Sequence, residues 1–195
     1  MMRVMKPPLR KLLRAVTLAF AVVLGSVTAL LLGTRQGRGE IAHEAACHGW
    51  SRVVGLFNSM GVDPNGNDFG VFGPPLMCAA FNGHGDVVAR LLAAGANPRA
   101  GCCLGTPLDS AAHSGDLAIV KQLVAAGAAP WEGFPLGAAA FRGDEAMVRF
   151  LLANGARWWS PDSKRNAIEI ARAEGHESVA LLIEATVRPS GTQPR

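Results

Sequence analysis

The sequence predicts an all-α solenoid of short helix pairs, preceded by one membrane-spanning helix. Two observations predict it. A glycine recurs in a constant setting at Gly49, Gly83, Gly115, Gly143 and Gly175, spaced 34, 32, 28 and 32 residues apart. Near the N-terminus, the 19 residues from Ala15 to Gly33 carry no charge. Composition fits an ordered chain. Hydrophobic residues are 49% and charged residues 17%, which excludes a disordered protein. The 12 prolines and 23 glycines follow no collagen-like period.

The uncharged stretch AVTLAFAVVLGSVTALLLG corresponds to roughly 28 Å of helix, close to the hydrocarbon thickness of a bilayer. Five cations precede it (Arg3, Lys6, Arg10, Lys11, Arg14), with no acid among the first 34 residues. The positive-inside rule then places the N-terminus in the cytoplasm and the rest of the chain across the membrane. An uncleaved signal anchor over 15–33 is the expected form. A cleaved signal peptide is the alternative, because Val27-Thr28-Ala29 offers a small-residue cleavage site. Residues 1–14 form the basic segment, 34–39 (TRQGRG) a short tether, and 188–195 (RPSGTQPR) a disordered tail. Beyond residue 34 the chain holds 14 Lys/Arg against 15 Asp/Glu, a near-neutral balance. No nucleic-acid partner is expected of such a body.

The recurring pattern has three parts. An Ala-rich slot precedes each glycine: Ala45-Ala46, Ala79-Ala80, Ala111-Ala112, Ala139-Ala140 and Ala171. An apolar pair follows four residues later, and more apolar residues lie four further on: Val87-Val88 with Leu91-Leu92, Ile119-Val120 with Leu123-Val124, Met147-Val148 with Leu151-Leu152. Residues four apart share one helical face. Small alanines let a second helix approach closely, and the mid-unit glycine permits the turn between the two. Thr106 suits an N-cap with Pro107 at the first helical position, and Asn166 suits a cap for the last unit. No single unit can bury its apolar face alone; stacked neighbours do so together.

GTPLDSAAHSGDLAIVKQLVAAGAAP (105–130) resembles an ankyrin repeat. GPPLMCAAFNGHGDVVARLLAAGANP (73–98) and FPLGAAAFRGDEAMVRFLLANGA (134–156) are similar to it, and weaker units lie at 41–65 and 166–185. The resemblance covers about 40–187, as units at about 40–72, 73–104, 105–133, 134–164 and 165–187. Asn58 and Glu184 replace apolar residues of the central units, as capping units require. Gly127 to Phe134 is seven residues where Gly95 to Thr106 is eleven, so the finger between the third and fourth units is expected to be truncated.

The histidines and cysteines are the candidates for chemistry. The resemblance implies that His43, His84 and His176 bond local backbone, and that His48 and His113 face the concave surface. Cys47, Cys78, Cys102 and Cys103 leave three readings open: small buried hydrophobes or free thiols, at least one disulfide, or a metal site. No CxxC, GxSxG, HExxH or P-loop pattern occurs. No cofactor and no catalysis are therefore expected.

What remains is a surface. In ankyrin proteins partners bind the concave side, formed by first-helix residues just before the mid-unit glycine and by the fingers. Carried onto this sequence, the partner-binding candidates are Phe81, Asn82, His113, Ser114, Phe141 and Arg142. Trp131 and Trp159, just past two Gly-Ala steps, are expected to join Arg142 in an aromatic-plus-Arg cluster, the composition of interface hot spots. Trp50 is expected to shield the membrane-proximal end, and Trp158 to be buried. The functional expectation is a non-catalytic, membrane-tethered, monomeric ankyrin stack in the periplasm that binds or scaffolds another protein. The alternative is a cysteine-based redox or metal-handling protein of the envelope.

Overall fold

The computed structural model describes residues 35–65, 73–102, 105–160 and 165–187. The expected membrane segment at 15–33, the basic segment 1–14 and the tail 188–195 lie outside the described residues. Among the described residues, no helix is long and apolar enough to cross a membrane.

Ten helices follow one another in five consecutive pairs: α1 (Arg35–Cys47) and α2 (Ser51–Ser59), α3 (Pro75–Phe81) and α4 (Gly85–Ala93), α5 (Pro107–Ser114) and α6 (Leu117–Ala125), α7 (Pro135–Arg142) and α8 (Glu145–Ala153), α9 (Ala167–Ala173) and α10 (Glu177–Val187). The odd-numbered helices pack in file, α1 on α3, α3 on α5, α5 on α7 and α7 on α9. Behind them α2 packs on α4, α4 on α6 and α8 on α10. The alanine slots lie in the front layer, fully buried at Ala79-Ala80, Ala111-Ala112 and Ala139-Ala140. Behind them Val87, Val88, Ile119, Leu123, Met147 and Leu151 fill one continuous core.

Local chemistry sets the helix ends. Thr106 and Asp109 form a reciprocal capping box ahead of Pro107, and Asn166 accepts from the Ile168 amide. Gly115 (φ 86°) and Gly143 (φ 70°) end α5 and α7 in the left-handed region. Helix α1 corrects the expected tether. It begins at Arg35, inside residues 34–39, and runs unbroken to Cys47. No proline interrupts it, and Arg, Gln and Glu offset two glycines that cost about 1 kcal/mol each.

The connections differ. Between the fourth and fifth pairs, β1 (Trp159–Ser160) pairs antiparallel with β2 (Arg165–Asn166). Between the second and third, Cys102 bridges Gly105. The shortened 126–134 connection consists of turns without a strand bridge.

Candidate protein-binding face

The front helices end at one edge of the stack, where each chain segment turns back at its mid-pair glycine. Phe81, His113 and Phe141 all lie two residues before that glycine, so the fold presents them in a row. Phe81 is 52% exposed and Phe141 49%, large fractions for rings set in a packed layer. The Phe81 ring stacks on His113 of the next pair, with centroids 5.6 Å apart and planes 12° from parallel. Arg142 of the pair after that donates through Nη1 to the His113 carbonyl at 3.2 Å. Three of the sequence candidates thus form one contiguous strip.

The other candidates are placed differently. Asn82 turns back on its own helix and donates to the Cys78 carbonyl at 2.9 Å. Ser114 does the same to the Ala111 carbonyl at 2.9 Å. Trp131 is exposed in the 126–134 connection and lies beside Gly155, whereas Arg142 is the last residue of α7. Helix α7 lies between the two, and the Arg142 guanidinium is turned onto Gly115. Trp159 lies in β1, and its side chain is outside the described residues. Trp50 packs against the core edge and stacks on His48, with centroids 5.3 Å apart. Trp158 is half-buried rather than buried.

The strip continues toward the N-terminus as a covalent link. Cys47 and Cys78 form a disulfide between α1 and α3, with a Cα–Cα distance of 4.9 Å. This selects one of the open readings of the cysteines. Cys47 lies two residues before its glycine and Cys78 five before its own, a three-residue offset that keeps both on the same helical face. That offset was the available signal; slot-by-slot comparison of the repeats conceals it. Cys103 lies outside the described residues. His43 is close by, one of its ring nitrogens and the two sulfurs all within 4.8 Å of one another. Burial lowers the His43 pKa below its ordinary value, and nearby Glu44 partly offsets this. The bonded sulfurs offer no thiolate, so this trio has no metal-binding chemistry while the disulfide is intact.

Residues from each following pair also cover the turns. His84, expected to bond local backbone, instead reaches the preceding pair: its Nε2 lies 3.0 Å from the Cys47 carbonyl and its ring covers Gly49. The Arg142 guanidinium covers Gly115, and the His176 ring covers Gly143. Over Gly83 none of the described residues lies within 4 Å of where a Cβ would stand. An open groove of about 440 Å³ occupies that place, lined by Phe81, Asn82, Gly83, Ser114, Asp116 and Leu117.

Asp109 ties the third pair to the fourth. Its carboxylate accepts from the Thr106 amide at 2.8 Å, the Thr106 hydroxyl at 2.9 Å and the Phe134 amide at 2.7 Å. Burial raises its pKa, against the opposing pull of those hydrogen bonds.

This geometry offers a face and a groove. A family model for ankyrin repeats (3 copies) matches residues 42–132 and, in an overlapping second match, residues 108–192. No individual curated protein matches the chain. Ankyrin repeats generally mediate protein–protein interaction. The two matches together span most of the sequence, and the chain belongs to the ankyrin repeat family.

Proposed function

We propose that this protein is a non-catalytic binding module, a stack of five ankyrin units that docks another protein on its front face. The observation that carries the proposal is the contiguous strip of Phe81, His113 and Arg142, with half-exposed Phe141 beside it. Exposed aromatic rings next to an arginine are the composition of interface anchors. Phe81 and His113 are held by their stack and Arg142 by its hydrogen bond, so binding immobilises little there that is not already ordered. The five helix pairs are read as five units, the first and last serving as caps.

In this reading residues 15–33 anchor the stack, with the N-terminus in the cytoplasm and the repeats in the periplasm. The Cys47–Cys78 disulfide supports an oxidising compartment, since cytosolic thiols are kept reduced. The test is cross-linking in intact cells with a C-terminally tagged full-length chain. Wild type is compared with a variant carrying Phe81→Ala, Trp131→Ala, Phe141→Ala and Arg142→Ala, matched for helical content and abundance. Wild type should capture a discrete protein that the variant loses. Equal capture by both would refute the front-face reading.

The cysteines favour a second reading, redox handling in the envelope, because the disulfide lies beside His43 on the same face. A double Cys47→Ser/Cys78→Ser variant that keeps full function and partner capture would eliminate it.

A further inference from the structure

We propose that the open groove over Gly83 is the seat of an arginine side chain from the partner protein. This rests on the protein-binding reading above and specifies what the face recognises.

The chain itself displays what such a place accepts. Four mid-pair turns have a following pair: those at Gly49, Gly83, Gly115 and Gly143. Three are covered by a planar nitrogen-bearing side chain, His84, Arg142 and His176 respectively. Two of these also bond the carbonyl two residues before the glycine. His84 Nε2 lies 3.0 Å from the Cys47 oxygen, and Arg142 Nη1 donates to the His113 oxygen at 3.2 Å. The equivalent carbonyl at the second turn is that of Phe81. Among the described residues, no hydrogen bond reaches it.

The sequence explains the gap. The residue after the mid-pair glycine is His84 in the second pair and His176 in the fifth, but Asp116 in the third. Asp116 turns inward to cap α6, accepting from the Ala118 amide at 2.9 Å and the Ile119 amide at 3.1 Å, both through Oδ1. It therefore cannot cover Gly83. Asp144 is likewise committed to capping, accepting from Met147, but there Arg142 covers the turn before it. The third pair has Ser114 at the position of Arg142, and Ser114 is too short to reach across.

The lining is selective for a guanidinium. The C-terminal end of α3 presents partial negative charge at the Phe81 carbonyl, as α5 does to Arg142. Asp116 lines the groove, and its Oδ2 accepts no hydrogen bond among the described residues, so a charge-assisted bond is on offer. The Phe81 ring, stacked on His113 on one side, provides a flat surface for a planar cation. A carboxylate ligand would meet Asp116 and the carbonyl with like charge.

The test uses the full-length chain in detergent micelles, isotopically labelled for NMR, titrated with Nα-acetyl-arginine amide or its uncharged isostere Nα-acetyl-citrulline amide. The arginine probe should move the amide signals of Gly83, Ser114 and Asp116 saturably, with a dissociation constant in about the millimolar range. The citrulline probe should bind about tenfold more weakly. Asp116→His, which restores the ring found at His84 and His176, should close the groove and abolish the shifts at unchanged helicity. Phe81→Ala, which does not touch the cap, should weaken binding several-fold. No saturable shift, or an unchanged shift in Asp116→His, would overturn the assignment. So would shifts that follow protein concentration without probe, which would mean a second copy fills the groove. Equal capture of one discrete partner in cells by wild-type and Asp116→His baits would overturn it too, while leaving the binding face of Phe81 and Phe141 standing.

Discussion

The junction between the first and second helix pairs is closed, and the junction between the second and third is open. At the first, a disulfide joins α1 to α3, His84 covers the Gly49 turn, and Arg90 donates to the Ser51 hydroxyl at 2.5 Å. Asn65 extends the closure outward, with its side chain donating to the Gly95 carbonyl at 2.9 Å and accepting from the Asn97 amide at 2.6 Å. At the second, Phe81 stacks on His113 and the turn at Gly83 is left as an open groove, while an Arg99–Glu132 ion pair joins only the outer edge. The backbone pattern and the alanine core are the same at both. Side chains, the two cysteines among them, make the difference, so a solenoid can change one junction without altering its fold.

Breaking the closed junction should produce the largest effect. A Cys47→Ser/Cys78→Ser variant releases a cross-link spanning 31 residues, worth roughly 3–4 kcal/mol in the chain-entropy account. Chemical denaturation of both forms measures it, and reductant should destabilise wild type alone. A loss below about 1 kcal/mol would mean that the rest of the junction already holds the first pair in place.

A smaller effect is expected where a single buried carboxylate braces the third pair against the fourth. Asp109→Asn keeps the shape but leaves one acceptor oxygen for three donors, so stability should fall by about 1–3 kcal/mol. Asp109→Ala should cost at least as much. Equal stability of Asp109→Asn and wild type would show that the brace carries no net energy.

The smallest expected effect is a pH dependence at the closed junction. Burial holds the His43 pKa below its ordinary value, so unfolding takes up a proton there. Its stabilising contribution is complete above the unfolded-state pKa and is lost as pH falls through it toward the folded value. Melting temperatures at pH 7.5 and 5.5 should therefore drop more for wild type than for His43→Gln. An equal or larger drop in the variant would contradict this.

Much of the fold was legible because it is local. Alanine slots, apolar pairs four apart, Thr106 before Pro107 and the cap at Asn166 each follow from short-range chemistry that reads directly from the chain. The missed features are long-range. Which following residue covers a turn depends on side-chain reach across the junction, so His84 was expected to bond locally and instead spans 37 residues. The disulfide joins two different repeat positions, and a comparison of like with like cannot reveal it. Trp131 and Arg142 are close in sequence, but α7 intervenes, and one turns to Gly155 while the other covers Gly115. The strip of Phe81, His113 and Arg142 was legible as separate candidates; its continuity required the stack.

The most direct test sets the front of the stack against its back. Leu56 on α2 and Leu181 on α10 are as exposed as the front-face rings, at 58% and 53%. A photo-reactive side chain placed in turn at positions 81, 113, 56 and 181 of the full-length chain in living cells reports what touches each. A cross-link to one discrete protein is expected from positions 81 and 113 and none from 56 and 181. Cross-links confined to 56 or 181, or equal from all four, would contradict it.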